Sequence, residues 1–429
     1  MRRDRLFSSK SLARVYPLVI ARAYGVNIED VDGNRFMDFN SGIAVMNLGY
    51  SYPAVVRAVR EHARVLTHAA YLEFYSELPV SLSERVCKLI SGMRRTFLTN
   101  SGTESVEAAM KLARQCTKRK YFISFYGSFH GRSLGALSLT SSRVVQRQDF
   151  GPFLPVIHAP YANPYRPLVG GEGDECAEAA LNYLNEAVFR TEVSPDEVAA
   201  IFVEPVQGEG GYVVPPREFL RGLREICTKH GILYVDDEVQ AGCFRTGKFL
   251  ATEHFGVEPD IVCLSKALGG GLPIGAMVCK DEYMKWEPGS HSSTFGGNLL
   301  SCAAAVAALD AMEKEDVGSR ALRSGTRILD ALRRLGSEVE QVGDVRGLGM
   351  MIGLELVKDR ASKGYNPGLR DGIMHEAFER GLSLLPASES VVRIAPPLMM
   401  KDDDVDAGLK ILRDVVMEEA LDRPRRDRP

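Results

Sequence analysis

Residues 234–248 read YVDDEVQAGCFRTGK and residues 264–271 read LSKALGGG. In the first stretch the apolar run Ile232, Leu233, Tyr234, Val235 ends in two acids, Asp236 and Asp237. Such a run predicts a buried strand that delivers carboxylates to a sheet edge, where open α/β sheets place their sites. A second apolar run, residues 261–264, ends in Ser265 and Lys266, with glycines 269 to 271 behind it. A lone lysine before glycines is an ordinary solvated turn residue. Delivered to the same edge as a carboxylate, it can lose its charge by desolvation and act as a nucleophilic amine. Both groups are used if a pyridine-type aldehyde sits between them, with the lysine on its carbonyl as a Schiff base and the carboxylate on its ring nitrogen. The protonated ring is then an electron sink.

The whole composition narrows the class. A chain of 429 residues is long enough for two or three domains with a large core. Its 45% hydrophobic and 25% charged residues are those of a soluble globular protein. A net charge of −3 with no long basic stripe excludes a nucleic-acid footprint. No apolar run approaches the ~20 residues that cross a membrane. The start, MRRDRLFSSK, lacks the apolar core of a secretory signal. Eight scattered cysteines without a C-x-x-C pair read as free thiols of a reducing cytoplasm, and no metal site is expected.

Along the chain, residues 1–24 read as a mobile arm over a surface. Residues 26–39 form a hairpin around Asp32-Gly33, a type I′ turn signal. Tyr71, Phe74 and Tyr75 are expected as core aromatics, with Tyr71 a candidate for the substrate entrance. In residues 98–114 a helical stripe of Val106, Ala109, Met110 and Ala113 starts behind Ser101-Gly102-Thr103. Its N-terminus offers unpaired N–H groups to a phosphate, although Ser or Thr there also serves as a simple cap. Residues 151–198 read as a surface insertion with a helix near 175–188, in which His158 is structural. A strand over 199–203 ends in Glu204, with Glu209 close behind. Residues 219–230 are then the crossover helix of a parallel βαβ unit. Residues 299–335 are alanine-rich and helical, and a smaller α/β unit follows from about 336. Within it Arg393 interrupts an apolar run, so its guanidinium needs an anionic partner. The charged tail 422–429 is expected to be disordered.

With these pieces in order, the sequence resembles the class III, or ω-, aminotransferases of the fold-type I pyridoxal 5′-phosphate (PLP) enzymes. That group is 4-aminobutyrate/ornithine aminotransferase-like and includes archaeal amino acid racemases. The matching signature is Asp237, Glu238, Val239, Gln240, Gly242, then Arg245-Thr246-Gly247, then Lys266, 266 − 237 = 29 residues after the acid. The resemblance implies an α/β fold: a large PLP-binding domain (54–325) with a mostly parallel sheet, and a smaller α/β domain (326–421) joined by an N-terminal arm and hairpin (1–53). It makes Lys266 the Schiff-base lysine and Asp237 the partner of the ring nitrogen. Ser101, Gly102 and Thr103 become the phosphate cup, with Thr294 reaching the phosphate of the neighbouring subunit. Phe129 and Val239 flank the ring, Gln240 contacts its hydroxyl oxygen, and His130 and Glu204 support it.

For the substrate, the resemblance gives Arg132 a distal carboxylate and Arg393 an α-carboxylate, with Glu209 pairing with Arg393 and releasing it. Ile43 and Tyr71 line the pocket. Ornithine-type relatives carry a tyrosine where Ile43 stands, and Ile43 cannot hydrogen-bond. Tyr50 and Phe244 are further departures from the pattern. The implied activity moves an amino group from an ω-amino acid or amino acid, 4-aminobutyrate-like, to a 2-oxo acid such as 2-oxoglutarate. The working unit is a homodimer or a dimer of dimers. The alternative is an amino acid racemase on the same cofactor site. A scaffold that had lost its chemistry would show a damaged lysine or acid, and Lys266 and Asp237 are both intact.

Overall fold

The computed structural model describes residues 1–421, and the tail expected to be disordered, 422–429, lies outside the described residues. An N-terminal antiparallel sheet holds β1 (Ile20–Tyr24), β2 (Asn27–Asp30) and β3 (Arg35–Asp38). The central sheet takes β4 (Arg95–Thr99), β5 (Tyr121–Phe125), β6 (Val156–Ala159), β7 (Val198–Val203), β8 (Leu233–Asp237), β9 (Ile261–Leu264) and β10 (Gly275–Cys279). Their spatial order is β4-β10-β9-β8-β7-β5-β6. Strands β6, β5, β7, β8 and β9 run parallel, and only β10 opposes both of its neighbours. A third, antiparallel sheet orders β11 (Val342–Leu348), β12 (Met351–Leu356), β15 (Val391–Ile394) and β14 (Leu385–Ala387). The short β13 (Leu382–Ser383) runs parallel to β3 and ties the first sheet to the last part of the chain.

The central strands form because their sequences are apolar throughout: β7 is VAAIFV and every residue of it is buried, as is every residue of β9. That is the pattern of a parallel sheet covered on both faces. One cover is the Gly102–Thr117 helix, which packs across β4, β7, β9 and β10 with Val106, Ala109, Met110 and Ala113 buried. The other includes the Arg217–His230 helix, which returns the chain from β7 to β8 and stops at Gly231, φ 61.

Several local expectations change. The 299–335 helix is two helices, Leu299–Lys314 and Val317–Glu338. They break at Asp316, which sits at φ 47 and caps the second with its own carboxylate on Ser319 N. The insertion helix extends beyond 188, as Glu175–Asn182 continues in a π-helix to Glu192. In the hairpin Gly33 is left-handed at φ 87 and Asp32 is not, so the turn is not type I′. Residues 1–24, expected as a mobile arm, contain the helix Arg2–Phe7 and β1, which pairs with β2. Phe74 and Tyr75 are 66% and 101% exposed and belong to no core.

Two features near the future site were not foreseen. Ser41, Gly42, Ile43 and Ala44 all have positive φ, between 50° and 66°, and make one left-handed helical turn. An L-residue pays roughly 1–2 kcal/mol for that conformation, so neighbouring bonds must hold it. Ser41 Oγ donates to Ala395 O (2.5 Å), and Asp38 Oδ2 accepts from Gly42 N (3.2 Å) and Tyr50 OH (2.7 Å). Beneath the turn lies Arg245, fully buried, with Nη1 on Met350 O and Pro396 O and Nη2 on Ser41 Oγ and Asn47 Oδ1. Burial lowers its pKa to about 10, and its fork ties the 41–47 segment to β12 and the end of β15.

A lysine at this position could not reproduce the fork. Arg245→Lys should therefore cost about 3 kcal/mol or more, the scale of breaking a buried charged network. Thermal melting measures it, and an unchanged melting temperature would mean that the turn stands without this guanidinium.

Candidate active site

Strands β7, β8 and β9 end side by side. Parallel neighbours lie ~4.8 Å apart, and the registers Val203↔Asp236 and Asp237↔Cys263 bring Glu204, Asp237 and Lys266 to one edge. Asp237 and Asp236, both expected at this edge, point to opposite faces because strand side chains alternate. Asp237 Oδ2 lies 2.6 Å from His130 Nδ1, with both side chains buried, and Asp237 Oδ1 accepts from Val239 N (3.1 Å). Asp236 lies beside Glu238 instead. Burial and the neighbouring carboxylate push Asp236 well up, and the pair lies on the face turned away from the site.

Burial alone would depress the His130 imidazole, but the hydrogen bond and charge of Asp237 outweigh it and raise its pKa. His130 Nε2 is buried without a partner among the described residues. Glu204 is held by two backbone donors, Phe129 N on Oε2 and Gly208 N on Oε1, each at 3.0 Å. Burial nevertheless pushes its carboxyl up to about 7. Lys266 sits at φ 42, half-buried, opening a 3-10 turn. Burial lowers its pKa and outweighs the opposing pull of Glu209, while Arg393 adds to the lowering. The amine thus loses its proton more readily than a free lysine, as a carbonyl-attacking group requires.

The Gly102–Thr117 helix points its N-terminus at the same edge. Ser105 Oγ donates to Leu264 O (3.2 Å) at the end of β9. A Cβ on Gly102 would meet Val239 Cγ1 at 2.8 Å and Ser265 Cβ at 3.5 Å, so only glycine fits against the ends of β8 and β9. Ser101 Oγ caps the helix by accepting from Glu104 N (3.4 Å), and Thr103 Oγ1 is shared with Ser133 Oγ (2.6 Å). Among the described residues no hydrogen bond uses the N–H of Gly102 or Thr103. Capping therefore leaves these backbone donors available to an anion. A depressed lysine, a carboxylate fixed by a histidine and free helix N–H groups together fit PLP.

The flanking groups fall around this edge. Phe129 is half-buried with the Arg132 guanidinium 5.4 Å from its ring centroid. Arg132 is exposed and forms no ion pair among the described residues. Val239 is half-buried, and Gln240 Oε1 accepts from Tyr212 OH (2.9 Å). Arg393, on β15, lies 2.8 Å from Glu209 as an ion pair and donates from Nε to Pro386 O (2.9 Å). The Glu209 backbone is fixed by Ser388 N on its carbonyl (2.9 Å). The anionic partner that Arg393 required is thus Glu209. Ile43 is 44% exposed on the left-handed turn, and Tyr71 packs against Gly297. Thr294 is exposed, on the loop before the Leu299–Lys314 helix. Sequence reasoning missed Tyr212. Its signal was a tyrosine directly after Glu209-Gly210-Gly211, which reads as loop.

A mostly parallel sheet carrying this lysine, carboxylate and helix N-terminus at one edge is that of a fold-type I PLP-dependent enzyme. The chain belongs to the class-III aminotransferase family, whose profile matches residues 8–416. It is 36% identical over 427 residues to the alanine/serine racemase of Pyrococcus horikoshii, covering 97% of this chain and 89% of that one. To the acetylornithine aminotransferase of Methanopyrus kandleri it is 40% identical over 404 residues, covering 94% and 95%. Among solved structures, an amine transaminase from an uncultivated Pseudomonas species in its PLP-bound form superposes with a TM-score of 0.90 at 29% identity, covering 96% of this chain and 98% of that one. The cofactor is PLP.

Glu204 gives the site a pH signature. Its folded pKa, about 7, lies above the ordinary 4.5, so the native state binds its proton more tightly than the unfolded chain does. The resulting stability is complete below about 4.5 and lost as pH rises through about 7. In cofactor-free protein Glu204→Gln should flatten the fall in melting temperature across that window. An equally steep fall in the variant would assign it to other groups, such as Asp236 with Glu238.

Proposed function

We propose that this enzyme is a dual-substrate aminotransferase, taking the amino group of an ω-amino acid of the 4-aminobutyrate type and giving it to a 2-oxo acid, 2-oxoglutarate first among them. The observation that carries this reading is the Glu209–Arg393 ion pair at 2.8 Å beside Lys266, with Arg132 over the Phe129 ring and in no ion pair among the described residues. A buried arginine whose only ionic partner among the described residues is a glutamate on a loop can present two faces. With Glu209 in place its charge is neutralised and an amine without an α-carboxylate fits. With Glu209 displaced, Arg393 is free to take the α-carboxylate of a 2-oxo acid in a bidentate grip. Arg132 holds the distal carboxylate in both half-reactions.

Bound through Lys266 Nζ, PLP supplies the carbonyl for amine exchange and an electron sink for loss of the adjacent proton. Asp237, held by His130, would pair with the ring nitrogen of the bound cofactor. Phe129 and Val239 would flank its ring, and the N–H groups of Gly102 and Thr103 would hold its phosphate. Once displaced by substrate, Lys266 Nζ moves the proton from the carbon bearing the amine. Returning that proton to the same carbon would make the enzyme a racemase, a reading favoured by the 36% identity to the alanine/serine racemase. We take a dimer as the working unit, with Thr294 of each chain serving its partner's phosphate, and the 54–325 and 326–421 segments as its large and small domains.

Chiral chromatography of the purified enzyme with 4-aminobutyrate and with single L-amino acids, each with and without 2-oxoglutarate, separates the readings. Glutamate formed only in the presence of 2-oxoglutarate supports the aminotransferase and identifies its donor. D-isomer accumulating without an oxo acid supports the racemase. Borohydride should fix the cofactor on the Lys266 peptide and fix none in Lys266→Ala; attachment at another lysine would overturn the assignment. Arg393→Ala should raise the KM for 2-oxoglutarate by about 100-fold or more, the loss of a buried charged hydrogen-bonding pair.

A further inference from the structure

Tyr212 is a buried polar group that the chemistry above leaves unused. Its side chain is fully buried, and its backbone is left-handed at φ 54. A bulky non-glycine residue in that conformation is strained, and its surroundings must hold it there. The packing does so: Gly353, which lies opposite Arg393 in the β12–β15 register, has no side chain, and a Cβ there would meet Gly211 O at 2.9 Å and Tyr212 Cβ at 3.4 Å. Gly211 O in turn accepts from Arg346 Nε (2.9 Å). The loop that carries Glu209 is thereby pressed onto β12 and β15, and the Tyr212 ring is driven inward.

The hydroxyl at the end of that ring has two polar neighbours. It donates to Gln240 Oε1 at 2.9 Å, and the positive charge of the Arg393 guanidinium on β15 acts on it as well. The direction of this chain is forced. An arginine is only a donor and cannot accept the phenol's proton, so that proton must go elsewhere. The acceptor is Gln240 Oε1, which fixes the orientation of the carboxamide. Gln240 Nε2, packed against Gly208, is then left to donate toward the cofactor. Glu209 and Arg393 act on the phenol with opposite signs, Arg393 making it more acidic and Glu209 less. Separation of the ion pair therefore changes the strength with which Tyr212 donates to Gln240.

We propose that Tyr212 is a positioning residue that reports the state of the Glu209–Arg393 pair to Gln240, so that carboxylate binding at Arg393 is felt at the cofactor ring. The proposal rests on the reading of Arg393 as the α-carboxylate site and of Gln240 as a cofactor contact. Its consequence is that the oxo-acid half-reaction and the amine half-reaction meet cofactors of different electronic character, set by the carboxylate content of the ligand. A phenylalanine would fill the same space and leave Arg393 and Gln240 uncoupled.

The test uses PLP-loaded enzyme and glutarate, which carries two carboxylates but neither an amine nor an oxo group. Saturating glutarate should change the visible absorption band of the wild type, and Arg393→Ala should abolish the response. In Tyr212→Phe the amplitude at saturation should fall by about half or more, a loss of coupling that weaker affinity cannot mimic once the site is full. Gln240→Leu cuts the relay at its other end and should reduce the response to the same degree. Combining it with Tyr212→Phe should add nothing further, the non-additivity of residues in one chain of contacts. The Gln240 variant also decides the matter if Tyr212→Phe does not fold. A wild-type response that both variants retain in full overturns the relay alone. A wild type that does not respond, or responds equally in Arg393→Ala, overturns the reading of Arg393 and the relay with it.

Discussion

A carboxylate taken out of water at the end of a buried strand is tolerable only with a partner, and Asp237 has one in His130 at 2.6 Å. The requirements of that single contact radiate outward. The histidine must arrive from the turn after β5, so β5 must run parallel to β7 and end at the same edge. Its neighbour Phe129 donates its N–H to Glu204, which binds the turn after β5 to the end of β7. The second oxygen of Asp237 then fixes Val239, and Val239 presses on Gly102 at the start of the 102–117 helix. Three strand ends and a helix N-terminus are thus locked in register by one buried acid.

The same strand shows how finely the polypeptide sorts chemistry by position. Asp236 and Asp237 are adjacent in sequence, yet alternation sends one toward a histidine and the other toward Glu238. One carboxylate has a histidine nitrogen 2.6 Å from one oxygen and a backbone N–H on the other. The other is pushed well up by burial and by the like charge of Glu238. A shift of one residue in register would exchange these environments, setting a neighbouring carboxylate against His130 and sending Asp237 to the other face.

What the sequence disclosed follows from this. Asp237, Lys266, Glu204 and the 102–117 helix were legible because apolar runs ending in polar residues mark where strands stop, and the Arg393 pair because a charge inside an apolar run demands a counter-ion. The helix break at Asp316, the reversed β10 and the exposure of Phe74 and Tyr75 were hidden, because local patterns do not say which neighbour arrives from elsewhere in the chain. The alternation that separates Asp236 from Asp237 was in principle readable. Arg245 and Tyr212 were not, since each takes its role from segments about 100 residues or more away, or from a backbone conformation that its residue type does not announce.

The left-handed turn at 41–44 inverts the usual logic of substitution. Ile43 holds a β-branched side chain at φ 66, and removing that side chain for glycine would relax the backbone rather than loosen it. Its side chain is 44% exposed, so little packing goes with it. Shortening the side chain and relieving the backbone are the same change here, the reverse of a right-handed helix position, where glycine only costs stability.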